Sequence, residues 1–492
     1  MKKAAAFLLA LLLLLSACSN AGPSSADAPT ADAGSAGQLS SGSDGADVPA
    51  ETDGPAYTLP ELDYEGRSFG MIVGDGYSVD SLADEQTGEA LNDAKFSMAR
   101  TVEDAFNVTV GETPTDFWGM SAEVQRLVQS GDETYNAVAM MDRFAVQTTT
   151  AGCFLSLASV ESLNLSEPYW GGPLAKELTI GGKAYFGISS MNLASYGKVA
   201  CTFINRNLAA NLGIEVPFDD VFEGKWTKDK LLSYAGIAES DLNGDGVMDA
   251  SDRYTYAPGD IRGVPYQFLI GWQERVIRKD EEDIPTLTIY DSEVYLDLLS
   301  VVHGMMFGGS NDLTGFMNRN TGMLSAGSMF LNGNVLFLIS VFSNMDGLRE
   351  MENDFSILPM SKLDETQERY ISRTYDSTFH MIPVTEKDPE FSGTLLDALS
   401  CVGYHDMIPV YLDTVLKAKL SRDELSRECI QICFDGRTLE FAEAYLADSF
   451  MDERMFDLML GGPGTFASTL KKNGKINVKT LEKLVKSLTK NG

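Results

Sequence analysis

"RSFGMIVG", residues 67–74, begins an alternation of short strands and amphipathic helices that decides the fold. Each strand-like stretch is apolar and brief, whereas each helical stretch repeats its apolar residues at three- and four-residue spacing. The stretches that follow are EALNDAKFSMARTVEDAF (89–106), NVTVG (107–111), SAEVQRLVQSG (121–131) and YNAVAMMD (135–142). Ser121 is the expected N-cap of the second helix. Strands that alternate with helices build a parallel sheet, so we predict an α/β fold.

The third predicted strand ends in Met141-Asp142-Arg143-Phe144. Open α/β sheets bind ligands in the crevice beyond the carboxyl ends of their strands. Asp142 and Arg143 are therefore candidate ligand-binding residues. A solvent-exposed pair that forms a local ion contact explains them equally well.

A second α/β region begins at KVACTFINRNLAANLGIEVP, residues 198–217, where a strand leads into a helix that should stop at Gly213. Thr227 is the expected N-cap of the next helix. Further strands are expected in GSMFLNGNVLFLISV (327–341), NDFSILPMS (353–361) and DSTFHMIPV (376–384). Residues 405–447 are predicted to be largely helical, with Pro409 near the start.

The N-terminus has the three parts of an export signal: Lys2 and Lys3, an apolar run over residues 4–15, and small residues before Cys18. Leu15-Ser16-Ala17-Cys18 resembles a bacterial lipobox, which predicts acylation of Cys18. An ordinary signal peptide with a coincidental cysteine is the alternative. Residues 19–56 are nearly all Ser, Gly, Ala, Asp, Thr and Pro, so we predict a solvated tether with a mean reach of roughly 30 to 37 Å.

The chain has 492 residues and a formal net charge of −33. So acidic a chain is a poor candidate for nucleic-acid or anionic-lipid binding, because neutralising phosphates requires clustered Lys and Arg. The one basic stretch, residues 471–490, is expected to be a terminal helix that docks through Val478, Leu481, Val485 and Leu488 rather than one that binds a membrane.

Five cysteines follow Cys18, an odd number without the spacing of a disulfide framework. They are Cys153, Cys201, Cys401, Cys429 and Cys433. With only three histidines in the chain, a zinc site is not expected, and buried free thiols are the better interpretation.

DLNGDGVMDASD, residues 241–252, has the spacing of an EF-hand-type calcium loop. A glycine stands at position 6 for the sharp turn, and oxygen donors stand at the ligand positions. The predicted calcium ligands are Asp241, Asn243, Asp245, the Val247 carbonyl, Asp249 and Asp252. One unpaired loop, followed by a non-helical segment, favours a structural calcium ion over a regulatory one.

Several stretches together resemble the extracellular solute-binding lipoproteins of bacterial ABC importers, family 1, and in particular their carbohydrate-binding branch. They span nearly the whole chain after the tether. Besides the lipobox and the calcium loop, these stretches are YTLPELDYEGRSFGMIV (57–73), ALNDAKFSMARTVEDAFNV (90–108), LTIGGKAYFG (178–187), TFINRNLAANLGIEVPFDDVFEGKWTKDKLL (202–232), NDFSILPMSKLDETQERY (353–370) and LKAKLSRDELSRECIQICFDGRTLEFAEAYL (416–446).

The resemblance implies a type II fold of the periplasmic-binding-protein kind, with two α/β lobes joined by hinges and a ligand cleft between them. The chain is expected to cross between lobes near 198–203, near 355–359 and around Pro409. The expected divisions are a signal peptide (1–17), the lipidated cysteine and tether (18–56), lobe 1 (57–200), lobe 2 (201–355), a return to lobe 1 (356–408) and C-terminal helices mainly on lobe 2 (409–492).

Met141-Asp142-Arg143-Phe144 is also similar to the segment of maltodextrin-binding proteins whose Asp and Arg hydrogen-bond sugar hydroxyls. Sugar sites combine flat apolar faces with planar hydrogen-bonding groups. Further candidates in loops expected at the cleft are Trp170, Asn192, Tyr196 and Trp272. Trp226 is expected to pack under a helix start.

The resemblance implies a non-catalytic, monomeric receptor, lipid-anchored on the extracytoplasmic face, that delivers a mono- or oligosaccharide to a membrane permease. One rival is a receptor that presents its ligand to a sensor kinase. The other is a surface glycoside hydrolase, although no carboxylate spacing in the sequence identifies an acid and its partner.

Overall fold

The computed structural model describes residues 57–75, 81–260, 262–308, 324–348, 351–420, 423–450 and 452–490. The expected signal peptide, Cys18 and the tether lie outside these residues. The described residues belong to one compact unit, Pro55–Gly492. Within them, no helix has the length and apolar character needed to cross a membrane.

Twelve strands are found in the described part of the chain: β1 (Arg67–Gly74), β2 (Val108–Thr115), β3 (Ala137–Met141), β4 (Ala200–Asn205), β5 (Tyr254–Pro258), β6 (Ile277–Lys279), β7 (Pro285–Leu287), β8 (Val335–Val341), β9 (Phe355–Leu358), β10 (Ser372–Arg373), β11 (Thr378–Met381) and β12 (Arg437–Thr438).

The helices of the N-terminal half are α1 (Ala90–Phe106), α2 (Met120–Ser130), α3 (Asp142–Thr150), α4 (Pro173–Glu177), α5 (Ala194–Gly197), α6 (Arg206–Asn211), α7 (Phe218–Phe222) and α8 (Lys228–Leu232). Those of the C-terminal half are α9 (Val264–Gly271), α10 (Glu293–Phe307), α11 (Leu324–Leu331), α12 (Pro389–Val402), α13 (Ile408–Leu420), α14 (Glu424–Asp435), α15 (Phe441–Tyr445), α16 (Ala447–Phe450), α17 (Asp452–Gly461) and α18 (Pro463–Lys490).

The first four-stranded sheet has the order β11-β3-β1-β2. Strand β1 pairs in parallel with both β2 and β3, as the alternating pattern predicts, and β11 returns antiparallel to β3 with Thr378 opposite Met141. Helix α2 begins two residues earlier than expected, because Gly119 and not Ser121 is its N-cap. Ser121 instead donates a hydrogen bond to the Phe144 carbonyl, which ties α2 to α3.

The second four-stranded sheet has the order β5-β8-β4-β9, with β5 and β8 parallel and β4 antiparallel to both neighbours β8 and β9. Strand β9 thus belongs to this sheet, and the expected limit at 355/356 does not coincide with the change of sheet. The chain rejoins the first sheet only at β11. The expected strand over 327–341 is divided, since α11 takes up 324–331 and β8 takes up 335–341.

The C-terminal segment is helical as expected, but its helices after Pro409 do not all pack against the second sheet. Helix α13, which contains Pro409, packs against α1 of the first sheet, and α14 packs against β9 of the second. The chain therefore changes sides between α13 and α14, later than Pro409. The lobe limits that we predicted from the resemblance stay predictions.

Two expected helix signals hold. Thr227 accepts a hydrogen bond from the Lys230 amide as the N-cap of α8, and Gly213 follows α6 with φ of +71°. Trp226 is fully buried, and its indole N–H donates to the Pro359 carbonyl at 2.9 Å. The five cysteines of the described residues are free and buried, as predicted.

Candidate functional site

Asp142 and Arg143 lie at the carboxyl edge of the first sheet, where α3 begins immediately after β3. The Asp142 amide donates to the Ser377 carbonyl at 3.0 Å, which continues the pairing between β3 and β11. Arg143 reaches Asp376 with a separation of 2.7 Å between its Nη2 and the Oδ1 of the carboxylate. The predicted pair therefore contacts the loop before β11 and not only its own neighbours.

The Asp142 carboxyl group is almost fully enclosed. Burial raises its pKa to about 7, and the negative charge of Asp376 adds to the rise, while Arg143 opposes it.

Trp118 is the residue at this edge that the sequence analysis missed. It lies in the turn between β2 and α2 and is 65% exposed, while the other three tryptophans of the chain are at most 1% exposed. Its ring meets Phe117 and Phe144 edge-on, at centroid distances of 5.2 and 5.8 Å. Because Phe144 directly follows Arg143, this contact places the exposed indole of Trp118 beside the start of α3.

The Trp118 turn is held at the edge by close packing. A Cβ atom at Gly74, the last residue of β1, would stand 3.3 Å from the Phe117 ring. The Gly119 amide donates to the Asp116 carboxylate at 2.6 Å, which closes the turn. The carboxyl ends of β1, β2 and β3 thus carry the turn, the indole and the Asp142-Arg143 pair together.

We call residues Thr374–Ser377, between β10 and β11, the crossing loop. Its base is Arg373, which is 1% exposed, forms an ion pair with Glu443 of α15 and donates to the Gly263 carbonyl at 3.3 Å. The Arg373 guanidinium also lies 4.1 Å from the centroid of the Tyr375 ring. The loop is therefore anchored before α9 at one end and at Arg143 at the other.

A second cation approaches the same ring. The half-buried Lys198, which precedes β4, has its Nζ 5.9 Å from the Tyr375 centroid. Because Ala200 is opposite Val341 in the register of β4 and β8, Lys198 lies at the edge of the second sheet where β8 ends. The crossing loop thus connects residues at the edges of both sheets.

That edge of the second sheet carries further polar groups. Strand β5 is followed by Asp260 and Arg262, which pair bidentately at 3.0 and 2.8 Å. Strand β8 is followed by Asn344, which donates to Ser340 at 2.6 Å. Because β5 and β8 are parallel, their carboxyl ends lie at one edge, which is where ligands meet such sheets.

Two of the predicted ligand residues are not at an open surface. Trp170 is 0% exposed, and its indole N–H donates to Asp397 of α12 at 2.7 Å; Trp272 is 1% exposed and donates to Ser361 at 3.1 Å. Each ring is enclosed on both faces with its one donor satisfied. Both tryptophans pack inside the protein in this conformation, and their role as ligand contacts stays a prediction.

Tyr196 and Asn192 are near the crossing loop but face inward. Ser195, beside Tyr196, accepts a hydrogen bond from Thr374 at 3.1 Å. The Tyr196 ring is covered by the Arg437 guanidinium at 4.0 Å, and Asn192 accepts from the Ala194 amide at 2.8 Å. The Ser195 carbonyl thus supports the loop from behind in this conformation, and the role of Tyr196 and Asn192 as ligand contacts stays a prediction.

The predicted calcium loop is an ordered turn between Ser240 and Arg253, which form an isolated antiparallel bridge. Asp241 accepts from the Gly244 and Gly246 amides, at 2.7 and 2.8 Å, and both glycines have positive φ. Asp252 is 0% exposed and accepts from the Leu242 and Asp249 amides at 2.8 Å, so it joins the two ends of the loop.

The chemistry of this loop fits calcium in donor type, because its side chains offer only hard oxygen atoms. Calcium also requires that these oxygen atoms surround one position. Among the described residues, no three Asp, Glu, His or Cys side chains come together as a metal-ligand group. Asp249, for example, points its carboxylate at Ser251. Calcium binding by Asp241, Asn243, Asp245, Val247, Asp249 and Asp252 stays a prediction.

Two α/β halves, with ligand-accessible edges that meet at a crossing loop, define the two-lobed binding-protein fold expected from the sequence. Solved structures with this fold align with 85 to 86% of this chain, and these alignments cover 98 to 99% of the solved chains. One is the galacto-N-biose- and lacto-N-biose I-binding protein of an ABC transporter from Bifidobacterium longum, with a TM-score of 0.54, 12% identity and 98% of its chain covered.

Two others have a TM-score of 0.52 and 14% identity. They are an ABC substrate-binding protein from Listeria monocytogenes in complex with cycloalternan, 99% covered, and a cyclo/maltodextrin-binding protein complexed with maltotetraose, 98% covered. No protein-family model and no curated protein sequence matches this chain. At such identities the likeness establishes the fold, and the sugars named are ligands of those proteins.

Proposed function

We propose that this protein is the substrate-binding receptor of an ABC importer, which captures a mono- or oligosaccharide by lobe closure and delivers it to a membrane permease. The observation that carries the proposal is the open indole of Trp118 beside the Asp142-Arg143-Asp376 group. It combines a flat apolar face with charged, planar hydrogen-bonding groups at a ligand-accessible sheet edge.

The chemistry of this combination is that of sugar recognition. The C–H face of a pyranose ring packs on an aromatic face, and its hydroxyl groups pair with carboxylate and guanidinium groups. The sugar complexes of the structural neighbours support the same ligand class. Those neighbours are binding proteins, which favours capture without catalysis.

Closure in this proposal is a population shift. A ligand that contacts Trp118 and Arg143 on one side, and Lys198 or Asn344 on the other, stabilises the closed arrangement over the open one. Delivery to a permease, rather than presentation to a sensor kinase, is the part of the proposal that follows from the ABC transporter names of the neighbours.

Acylation of Cys18 anchors the protein on the extracytoplasmic face of the cell membrane in this proposal, with the 19–56 segment as tether. Two acyl chains are needed for stable anchoring without a spanning helix. We further propose that calcium in the 241–252 loop is structural and that the receptor acts as a monomer. The oxygen-only donor set of the loop supports the choice of calcium.

The test is a thermal-shift screen of the chain from Tyr57 onward against sugars, oligosaccharides, amino acids and peptides at fixed calcium concentration. Binding to the folded state raises the melting temperature by mass action. The proposal predicts a shift with one carbohydrate class, which Trp118→Ala abolishes or reduces. A matched control is Phe222→Ala, since Phe222 is 42% exposed on α7, in the second α/β region. A shift with amino acids or peptides alone would contradict it.

A further inference from the structure

The lysines of α18 form a cationic stripe on the surface of an otherwise acidic protein. Seven lysines and one glutamate fall within residues 471–490, in a chain with 38 basic and 71 acidic residues. All seven are exposed: Lys471, Lys472, Lys475, Lys479, Lys483, Lys486 and Lys490. We call this set the lysine stripe.

The stripe lies opposite the face that docks α18 on the protein. The buried positions of this stretch are Gly474, Asn477, Leu481, Leu484 and Leu488. Lys475, Lys479 and Lys486 each precede a buried residue by two positions, which is about 200° of helical rotation. The docking face is fixed by hydrogen bonds from Asn477 to the Tyr290 hydroxyl at 2.7 Å and from the Tyr185 hydroxyl to the Leu488 carbonyl at 2.8 Å.

This arrangement corrects the expected docking face by a fraction of a turn. Val478, which was expected to face the core, is 39% exposed, and Ile476 is 66% exposed at the border of the stripe. The helix therefore uses its apolar side for the protein and leaves a charged side, with two apolar residues at its margins, to the surroundings.

Nothing in the described part of the chain neutralises the stripe. None of the seven lysines forms an ion pair there, although Glu482 is three residues from Lys479 and four from Lys486. Over twenty residues the stripe extends about 30 Å, at 1.5 Å per residue. A surface of this length and charge matches an extended anionic partner better than a small ion.

We propose that the lysine stripe binds the anionic lipid surface of the membrane and thereby sets the orientation of the receptor on it. Basic clusters near a bilayer are attracted to anionic headgroups, with each lysine contributing separately. Acidic groups elsewhere on the protein weaken this attraction less the further they lie from the stripe, because the Debye length is about 8 Å at physiological ionic strength. The binding is adsorption by charge, since the apolar side of α18 is already occupied by the protein.

The proposed acyl anchor makes a lipid surface the natural partner, because it holds the protein within the tether's reach of roughly 30 to 37 Å. Lipid binding by the stripe is nevertheless independent of sugar capture. The two proposals can fail separately, since one is measured with vesicles and the other with sugars.

The experiment uses the chain from Ser19 onward, which carries no acyl group. Its co-sedimentation is measured with vesicles of phosphatidylglycerol and phosphatidylcholine, and with phosphatidylcholine alone, at increasing salt. We expect binding to the anionic vesicles only, with loss at high salt. Lys479→Gln with Lys483→Gln should weaken that binding about tenfold or more.

The matched control is Lys225→Gln with Lys387→Gln. These lysines have side chains that are 53% and 71% exposed and lie outside α18. The control should bind vesicles as the parent chain does, and both variants should keep the parent melting temperature. Equal loss in both variants, or no binding to anionic vesicles by the parent chain, overturns the proposal. Self-association that the α18 variant abolishes, without vesicle binding, assigns the stripe to another copy of this chain and also overturns it.

Discussion

Trp118→Ala is the change that examines the candidate site most directly. The free protein should tolerate it, because the ring is 65% exposed and meets Phe117 and Phe144 edge-on. Such aromatic pairs contribute about 0.5–1.5 kcal/mol. The melting temperature should therefore change little, while the affinity for sugar falls.

The expected loss of affinity follows from the area that a sugar can cover. A tryptophan side chain presents about 250 Å², so roughly 160 Å² of this one is open, and a pyranose ring on one face covers about half of that. At about 25 cal/mol per Å², the covered area is equivalent to about 2 kcal/mol. The dissociation constant should therefore rise about 30-fold.

The assay is isothermal titration with the sugar that gives the largest thermal shift, with Trp118→Phe as the conservative variant. The phenyl ring should retain much of the affinity, since it keeps an aromatic face. Acrylamide quenching gives a second readout, because Trp118 is the one tryptophan of the four that the quencher can reach readily, and bound sugar should protect it. An unchanged dissociation constant in Trp118→Ala, with no protection in the parent protein, would refute the stacking argument.

Three other predictions follow from particular groups. Arg143→Ala, which removes the partner of Asp376, should weaken sugar binding about tenfold by titration calorimetry, whereas Arg126→Ala, at an exposed pair with Glu123, should not. Calcium chelation should lower the melting temperature and leave sugar affinity nearly unchanged in the cold; a collapse of affinity in a folded protein would contradict a structural role. His380 is fully buried, and burial lowers its pKa from 6.5 to about 4, so it is neutral when folded and protonates on unfolding. Stability should therefore fall by about 3 kcal/mol as the pH decreases from 6.5 to 4, and His380→Gln should flatten that dependence in urea unfolding; an unaltered slope would exclude this cause.

The placement of Asp142 and Arg143 could be predicted because strand order and side-chain location are both local here. An apolar run fixes β3, the residue that follows it must lie at the carboxyl edge, and parallel neighbours bring their own edges alongside. The same reasoning applies to Trp118, which follows β2 at the same edge. The position of Trp118 directly after a predicted strand is visible in the sequence, but the loops taken as candidates did not include this one.

Burial of the other aromatics could not be predicted in that way. Trp170 is enclosed because Asp397, 227 residues further along the chain, accepts its N–H, and Gly187 leaves room for its ring. Arg437 covers Tyr196 from 241 positions away. A single sequence does not reveal such partners, so a tryptophan in a loop looks the same whether it packs or binds.

The pairing of β9 and the course of α12 and α13 could not be predicted from local pattern for a related reason. Strand β9 reads as one more apolar strand, and it pairs with β4 because Thr202–Asn205 offers a free antiparallel edge, not because of its own residues. The sequence predicts a helical segment that begins near residue 405, whereas the helix runs on from α12 through the π-helical turn Gly403–Met407 into α13, along α1. Pairing between distant segments, and not periodicity, decides to which sheet a segment belongs.

In the proposed closure, the crossing loop joins the two sheet edges that a ligand would bridge. It is fixed to the α9 side by the buried Arg373 and to the first sheet by Asp376, whose φ of +48° is one that Asp tolerates better than most residues.

Moving a population from 1:99 to 99:1 requires about 5.5 kcal/mol of differential binding. The Trp118 face adds about 2 kcal/mol to affinity by the area argument, but it holds the sugar in both states and so adds nothing to this difference. Two to four charged hydrogen bonds, each contributing about 1.5 to 3 kcal/mol, would supply the difference. Those bonds must include groups of the second edge, because contacts to the first edge alone are the same in the open and closed states. Lys198 and Asn344 are the groups there that closure would bring against a sugar held on Trp118, and a ligand too short to reach them should bind without closing the protein.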